Sequence, residues 1–236
     1  MKLQALLVFT FCYLVSVNGQ DTIQVAKSYP HAAFITAGTL ITSGVFTNKS
    51  GTKEGFRDFV RKRLDVHRTS IDDYLQHSPI LFLGIHDLVS RPSKQEINRQ
   101  LRHLIVTQTA NIATVLILKE LSGSTRPNGG SRAFPSGHTA YAFANAQVLY
   151  HSLKDRHPVL AYSGYIPAFF TGIYRILKDK HWISDVLAGA GIGILFSQLT
   201  YHFDIWNART HNKKRQTDSH LSVGLGSQGV GLTFHF

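Results

Sequence analysis

SKQEINRQLRHLIVTQTANIATVLILK, residues 93–119, decides the fold class. Ser93 with Glu96 three positions on is a capping box, in which each residue satisfies an otherwise unpaired N–H of a helix start. Beyond it Ile97, Leu101, Leu104, Ile105, Ile112, Val115 and Leu116 recur at spacings of three and four. That is the period of a helix and not of a strand. The stretch therefore predicts one long helix ending near Lys119.

Working outward, the same reading recurs. Asp72 to Val89 reads as a helix broken before Arg91-Pro92, and Pro30 to Asn48 carries no formal charge and ends in the turn-rich Asn48-Lys49-Ser50-Gly51. Between them lies a basic segment in which Arg57, Arg61, Lys62 and Arg63 alternate with Phe56, Phe59 and Val60. After a loop rich in Gly, Pro and Ser from Ser122 to Pro135, three further helices are expected, Ser136 to Leu153, Val159 to Leu177 and His181 to Phe203. They are rich in alanine and glycine, and their inner stretches are almost uncharged. The expected fold class is all-α, a bundle of about six core helices. Past Lys213-Lys214-Arg215 the period changes to two, with Leu221, Val223 and Leu225 on one side of Gly226-Ser227-Gln228-Gly229 and Val230, Leu232, Phe234 and Phe236 on the other. That predicts a short C-terminal β-hairpin packed as an edge ribbon, since one hairpin cannot close a barrel.

Composition narrows the function. Of 236 residues 43% are hydrophobic and 17% charged, which excludes a disordered chain. A single cysteine, Cys12, rules out a disulfide framework and a cysteine-based zinc site. At the start, Lys2, the apolar run Ala5 to Val17 and the small-residue exit Val17-Asn18-Gly19 have the order of a secretory signal peptide cut near Gly19 or Gln20. An uncleaved N-terminal anchor is the alternative. The expected division is a signal peptide over 1–19, a helical-bundle domain over 20–205, and a basic linker with the hairpin over 206–236. The mature chain is expected in the periplasm or on the extracytoplasmic face of a membrane.

The chemistry lies in three clusters of cations and histidines at helix ends. Lys119 is followed by Arg126-Pro127; Pro135-Ser136-Gly137-His138 opens a helix; Arg175 is followed by His181 and Asp185. Taken singly each reads as structural, a lysine complementing a helix dipole, an ordinary helix start, a surface ion pair. Taken together they suit phosphoryl transfer. Lys and Arg offer charge and forked hydrogen bonds to a phosphate dianion, and unpaired N–H groups at a helix start form an anion cradle. His181 and Asp185, four apart, lie on one helix face, so Asp185 can take the proton of one ring nitrogen and leave the other as a lone pair. No His-Glu-x-x-His or paired carboxylate cluster offers a metal frame.

These ten positions, in this order, resemble the three-part signature of the type-2 phosphatidic acid phosphatase superfamily. The resemblance implies a helical bundle and a metal-independent phosphatase without a cofactor. It implies that His181 is the nucleophile that forms a phosphohistidine, that Asp185 holds its tautomer, and that His138 is general acid and then base. Lys119, Arg126 and Arg175 are implied to grip the phosphate, helped by Ser136 and the N–H of Gly137. One departure is Tyr174, where the family often has serine before the arginine; it removes one polar phosphate contact.

The net charge of +11 fits an anionic substrate or an anionic lipid surface. Nucleic acid is not expected, because the basic residues are scattered and no binding module is present. The resemblance favours lipid phosphates as substrates, with membrane-surface association. A soluble periplasmic acid phosphatase acting on small phosphomonoesters and a vanadate-dependent haloperoxidase are the alternatives. Gly189 and Gly193 have the spacing of close helix contacts in membranes, whereas Asn145, Gln147, Gln198 and His202 interrupt the apolar runs and speak against deep insertion.

Overall fold

The computed structural model describes residues 30–50, 52–63, 70–217, 221–226 and 229–234, with side chains between residues 31 and 203. The expected signal peptide lies outside the described residues. The described chain is helical throughout its first compact unit, which ends at Gln198; a second unit is Leu199–Phe236.

Helix α1 is Pro30–Lys49, α2 Lys53–Arg63, α3 Ile71–Leu75, α4 Ser78–Ser90 and α5 Lys94–Ser122. Then come α6 Gly137–Leu153, α7 Pro158–Ser163, α8 Tyr165–Leu177 and α9 Ile183–Thr217. Two stretches expected as single helices are each divided, and proline explains both. Pro79 has no N–H to donate to the carbonyl of Leu75, and Pro167 has none for Ser163, so α3 and α7 end there and new helices begin. The capping box at the start of α5 is half formed. Ser93 Oγ accepts the Glu96 N–H at 3.2 Å, but the Glu96 carboxylate turns to Arg156 at 2.9 Å instead of reaching back. The α5 C-terminus closes on Gly123 in the left-handed region, a conformation glycine adopts without strain.

α6 is the central helix. Ala140, Ala142, Ala144, Ala146, Val148 and Leu149 are all buried, so it is surrounded on every side. Its partner α9 approaches it backbone to backbone. A methyl on Gly189 would stand 2.5 Å from the Ser136 carbonyl oxygen, and one on Gly193 would overlap the Ala140 carbonyl. On another face of α9, a methyl on Gly191 would meet the Ala37 carbonyl at 2.7 Å, while one on Gly44 of α1 would meet Ser184 and Ala188. The α9 glycines thus seat one helix between α1 and α6, and the 189/193 spacing serves as the close contact that the sequence suggests.

α5 is built the other way round from a soluble helix. Thr107 is 0% exposed and Asn111 1%, while Leu116 is 57% exposed. Leu101, Ile105, Ile112, Ile117 and Leu121 are likewise on the outside. Most of the apolar stripe read from the sequence therefore faces out, although Val115 is buried and Leu104 packs on the core, and a polar seam faces in. In that seam Gln108 Nε2 donates to Asn145 Oδ1 at 2.6 Å, Gln147 Nε2 to Gln198 Oε1 at 3.1 Å, and Tyr165 Oη to Gln147. Asn145, Gln147 and Gln198 are buried and paired, so these three do not weigh against an apolar surrounding. Lys94–Ser122 and Ile183–Phe203 are long and apolar enough to cross a membrane by length and composition.

In the second unit Leu221–Gly226 and Gly229–Phe234 pair antiparallel as backbone. The side chains there and the turn at 227–228 lie outside the described residues. The fold class rests on the helices, and the expected packing of the hairpin as an edge ribbon is not supported.

Candidate active site

The site is assembled where the start of α6, the end of α8 and the start of α9 meet. The turn between α8 and α9 reverses the chain at Asp179, whose φ of 54° is left-handed. The N–H groups of Lys180 and His181 both donate to the Arg175 carbonyl, at 3.1 and 3.2 Å. His181 therefore stands in the turn before α9, not on the helix as its spacing to Asp185 suggests. Asp185 sits in the first turn of α9, and its Oδ2 accepts the Trp182 N–H at 2.8 Å while lying 3.3 Å from His181 Nδ1. Ser184 Oγ donates to its other oxygen at 3.3 Å. The helix start thus orients the carboxylate, and the carboxylate orients the imidazole. The pair is almost sealed, with side chains 2% and 0% exposed.

A backbone bond ties the second cluster to the third: the Ser136 N–H donates to the Asp185 carbonyl at 2.9 Å. α6 then opens with first-turn N–H groups that have no intrahelical acceptor. Ser136 Oγ is buried and bonds Thr139 Oγ1 at 2.9 Å. A methyl at Gly137 would make only ordinary contact with Val115, so the surrounding protein does not demand glycine there.

The three cations converge on this point. Lys119 and Arg175 both act electrostatically on His181, and Arg126 and Arg175 both act on Lys119. Lys119 Nζ donates to the Arg132 carbonyl at 2.8 Å. Arg126 is held in a tight turn, its N–H donating to the Gly130 carbonyl at 2.7 Å. The Nε–H groups of Arg126 and of Arg175 are buried without an acceptor. A buried donor left unpaired costs about 1–3 kcal/mol, more when charged.

Burial pushes the His181 imidazole down to about 4, against the opposing pull of Asp185 and with Arg175 and Lys119 adding to the fall. At neutral pH the ring is uncharged, and its Nδ1 faces the Asp185 carboxylate. His138 is also lowered from its ordinary value, by burial first and then by Arg175, with Asp73 and Asp72 opposing.

Three residues of the site escape the sequence reading. Asp72 is fully buried in α3, with Arg175 Nη1 at 2.9 Å and Lys178 Nζ at 2.7 Å. Burial raises its carboxyl, and the hydrogen bonds and charges of Lys178 and Arg175 outweigh that, leaving it below the usual range. Breaking such a buried pair from one side costs about 3–5 kcal/mol. Asp73, next to it, has Oδ1 3.0 Å from His138 Nε2 and 4.0 Å from Arg175 Nη1. In the sequence both aspartates read as ordinary acidic residues of a first helical turn. The one available signal is an imbalance, three motif cations against a single motif carboxylate. Trp182, beside His181, donates Nε1–H to the Thr125 carbonyl at 2.7 Å, and Lys53 and Arg57 of α2 stand over its ring at 5.2 and 5.4 Å.

Among the described residues no group of three or more His, Cys, Asp or Glu side chains could hold a metal ion. The arrangement brings together an imidazole held by Asp185, a second imidazole against Asp73, and the positive charge of Arg175, which acts on both rings.

The model of the PAP2 superfamily matches residues 81–209, more than half the chain. A lipid A 1-phosphatase of Porphyromonas gingivalis is 48% identical over 80 residues, 34% of this chain. The matched stretch is 18% of that protein's length. Two solved structures are similar. The transmembrane PAP2 type phosphatidylglycerolphosphate phosphatase from Bacillus subtilis has a TM-score of 0.51 at 20% identity, over 75% of this chain and 96% of that one. Aquifex aeolicus LpxE has a TM-score of 0.48 at 24% identity, over 63% of this chain and 93% of that one.

Proposed function

The chain belongs to the PAP2 superfamily, and from that premise we propose that it hydrolyses phosphomonoesters of lipids through a phosphohistidine on His181. The observation that carries this reading is the pair of unaccepted, buried guanidinium Nε–H groups of Arg175, which acts on the His181 imidazole, and of Arg126, which acts on Lys119. A phosphate dianion supplies the missing acceptors and the missing negative charge together.

His181 Nε2 attacks phosphorus, and the bond from phosphorus to the ester oxygen breaks. His138 gives its proton to that oxygen. Water then attacks the phosphohistidine, its proton passes to His138, and the electrons of the nitrogen–phosphorus bond return to His181. Asp185 holds Nδ1–H throughout and stabilises the charge that develops on the ring, as an acid does for the histidine of a hydrolase triad. Lys119, Arg126, Arg175, Ser136 and the Gly137 N–H bind the equatorial oxygens, where charge stabilisation is the largest catalytic term.

A lipid substrate is supported by α5. A helix with Leu101, Ile105, Ile112, Leu116 and Ile117 outward and Gln100, Gln108 and Asn111 inward suits a surrounding of acyl chains, in which polar groups must pair internally. The finer parts of the proposal are extracytoplasmic orientation and the domain limits at 19 and 205. The relative that acts on lipid A places that phosphate among the first substrates to try.

The test is phosphate release in detergent from lipid A, phosphatidate, isoprenyl phosphates and soluble sugar phosphates, with a chelator present. Turnover of at least one lipid phosphate is expected, with none from the His181→Ala chain. Turnover confined to the sugar phosphates, or lost on adding chelator, overturns the reading.

A further inference from the structure

His138 is the proton-transferring group of the reaction above, and its ring is not left to itself. Nε2 lies 3.0 Å from Asp73 Oδ1, a contact between residues 65 apart. Nδ1 has no hydrogen-bond partner among the described residues. Asp73 has little freedom to choose this place. Its neighbour Asp72 is locked to α8 by Arg175 and Lys178, its own N–H donates to the Ser70 carbonyl at 3.1 Å, and the Gln76 side chain donates to its carbonyl at 3.0 Å. The short helix α3 is thus pinned from below, and the second carboxylate is carried up to the imidazole.

Resting on the phosphatase reading, we propose that Asp73 is the positioning residue of His138, fixing its Nε2–H so that Nδ1 alone exchanges the proton with substrate. In the first step the imidazolium donates Nε2–H to Asp73 and gives the Nδ1 proton to the departing ester oxygen. In the second, the neutral ring keeps Nε2–H on Asp73, and its Nδ1 lone pair takes a proton from the attacking water. One tautomer serves both steps, and no ring flip is needed between them.

The charges on His138 make the partner necessary. The groups that act on it are Arg175 from α8 and Asp72 and Asp73 from α3. Arg175 and burial drive the proton off, and Asp72 is already committed to two cations. Asp73 is therefore the carboxylate that holds the imidazolium in a site built to collect positive charge.

The experiment uses the full chain in detergent, as wild type, Asp73→Asn and Asp73→Glu, with helical circular dichroism to establish folding. Ring NMR of His138 is followed against pH, and kcat/KM is measured for a nitrophenyl phosphate and an alkyl phosphate. In Asp73→Asn the His138 titration falls by about 1 unit or more, the Nε2–H preference is lost, and Asp73→Glu restores part of both. At neutral pH the alkyl ester loses about tenfold for each unit of that shift, while the nitrophenyl ester, which needs no proton on departure, loses little. An unchanged titration and tautomer in Asp73→Asn overturns the proposal. So does equal loss on both esters, or a gain in rate with tighter inhibition by inorganic phosphate, which would make Asp73 a carboxylate that only fills the anion site. If the wild type releases no phosphate, the phosphatase reading fails by itself, and the ring titration still decides whether Asp73 governs His138.

Discussion

Two imidazole–carboxylate pairs share one arginine in this protein, and they are made in opposite ways. His181 and Asp185 are four residues apart, almost sealed from solvent, and held by the first turn of α9. His138 and Asp73 are joined across 65 residues, with side chains 34% and 48% exposed. Arg175 acts on both rings and lowers the proton affinity of each. The difference fits the roles proposed for the two rings. A nucleophile must be a neutral base at a fixed point, and burial secures both conditions. A proton shuttle has to be charged in one step and neutral in the next, which burial opposes and a flanking carboxylate permits.

The most damaging way to break the comparison is to disarm the inner carboxylate. Asp185→Asn offers the wrong tautomer to His181, and its phosphate release falls by about 10⁴-fold on every substrate. A loss that differs between nitrophenyl and alkyl esters contradicts a role in nucleophile orientation. Next is the outer imidazole. His138→Ala loses about 10²-fold on alkyl phosphates, the lower range for general acid catalysis, and much less on nitrophenyl phosphate, measured as kcat on purified protein. Equal losses remove the proton-donor role.

The mildest perturbation is pH itself, and it separates the pairs without mutation. His181 loses its lone pair as pH falls through about 4, so the acid limb of kcat/KM belongs to the inner pair. His138 loses its proton as pH rises through a value below the ordinary 6.5, so the alkaline limb belongs to the outer pair. An acidic optimum between these limits is expected, with the substrate's own ionisation removed by comparing wild type and variants on one ester. Bound phosphate dianion raises His138, so the alkaline limb of kcat stands above that of kcat/KM. An alkaline limb unmoved by Asp73→Asn and by bound substrate dissolves the distinction.

What was legible in the chain follows the same line between local and distant. The capping residue Ser93, the three-and-four spacing after it, and the three clusters of cations and histidines are local signals, and they gave the helical class and the expected site residues. Helix breaks at Pro79 and Pro167 were also local, yet hidden, because a missing N–H acts four residues earlier, at Leu75 and Ser163, inside stretches that otherwise read as continuous helices. The direction of α5 was not legible. Periodicity tells that one face is apolar and says nothing of what that face meets, and only packing against Asn145 and α9 turned the polar face inward. For the same reason Asn145, Gln147 and Gln198, which seemed to oppose an apolar surrounding, became the seam that suits it.

The order of residues by itself determined the helical class, the family signature and the pairing of His181 with Asp185, because each rests on residue types at short spacings along the chain. The tertiary structure alone decided that Asp72 locks Arg175 and Lys178, that Asp73 reaches His138, and that α9 lies against α6 closely enough for the Ser136 N–H to find the Asp185 carbonyl. Those contacts join residues 49 to 106 positions apart. No period or spacing records them, since a distant ion pair needs only that the chain return to the same place, and glycines 189 and 193 on α9 permit that return at backbone distance.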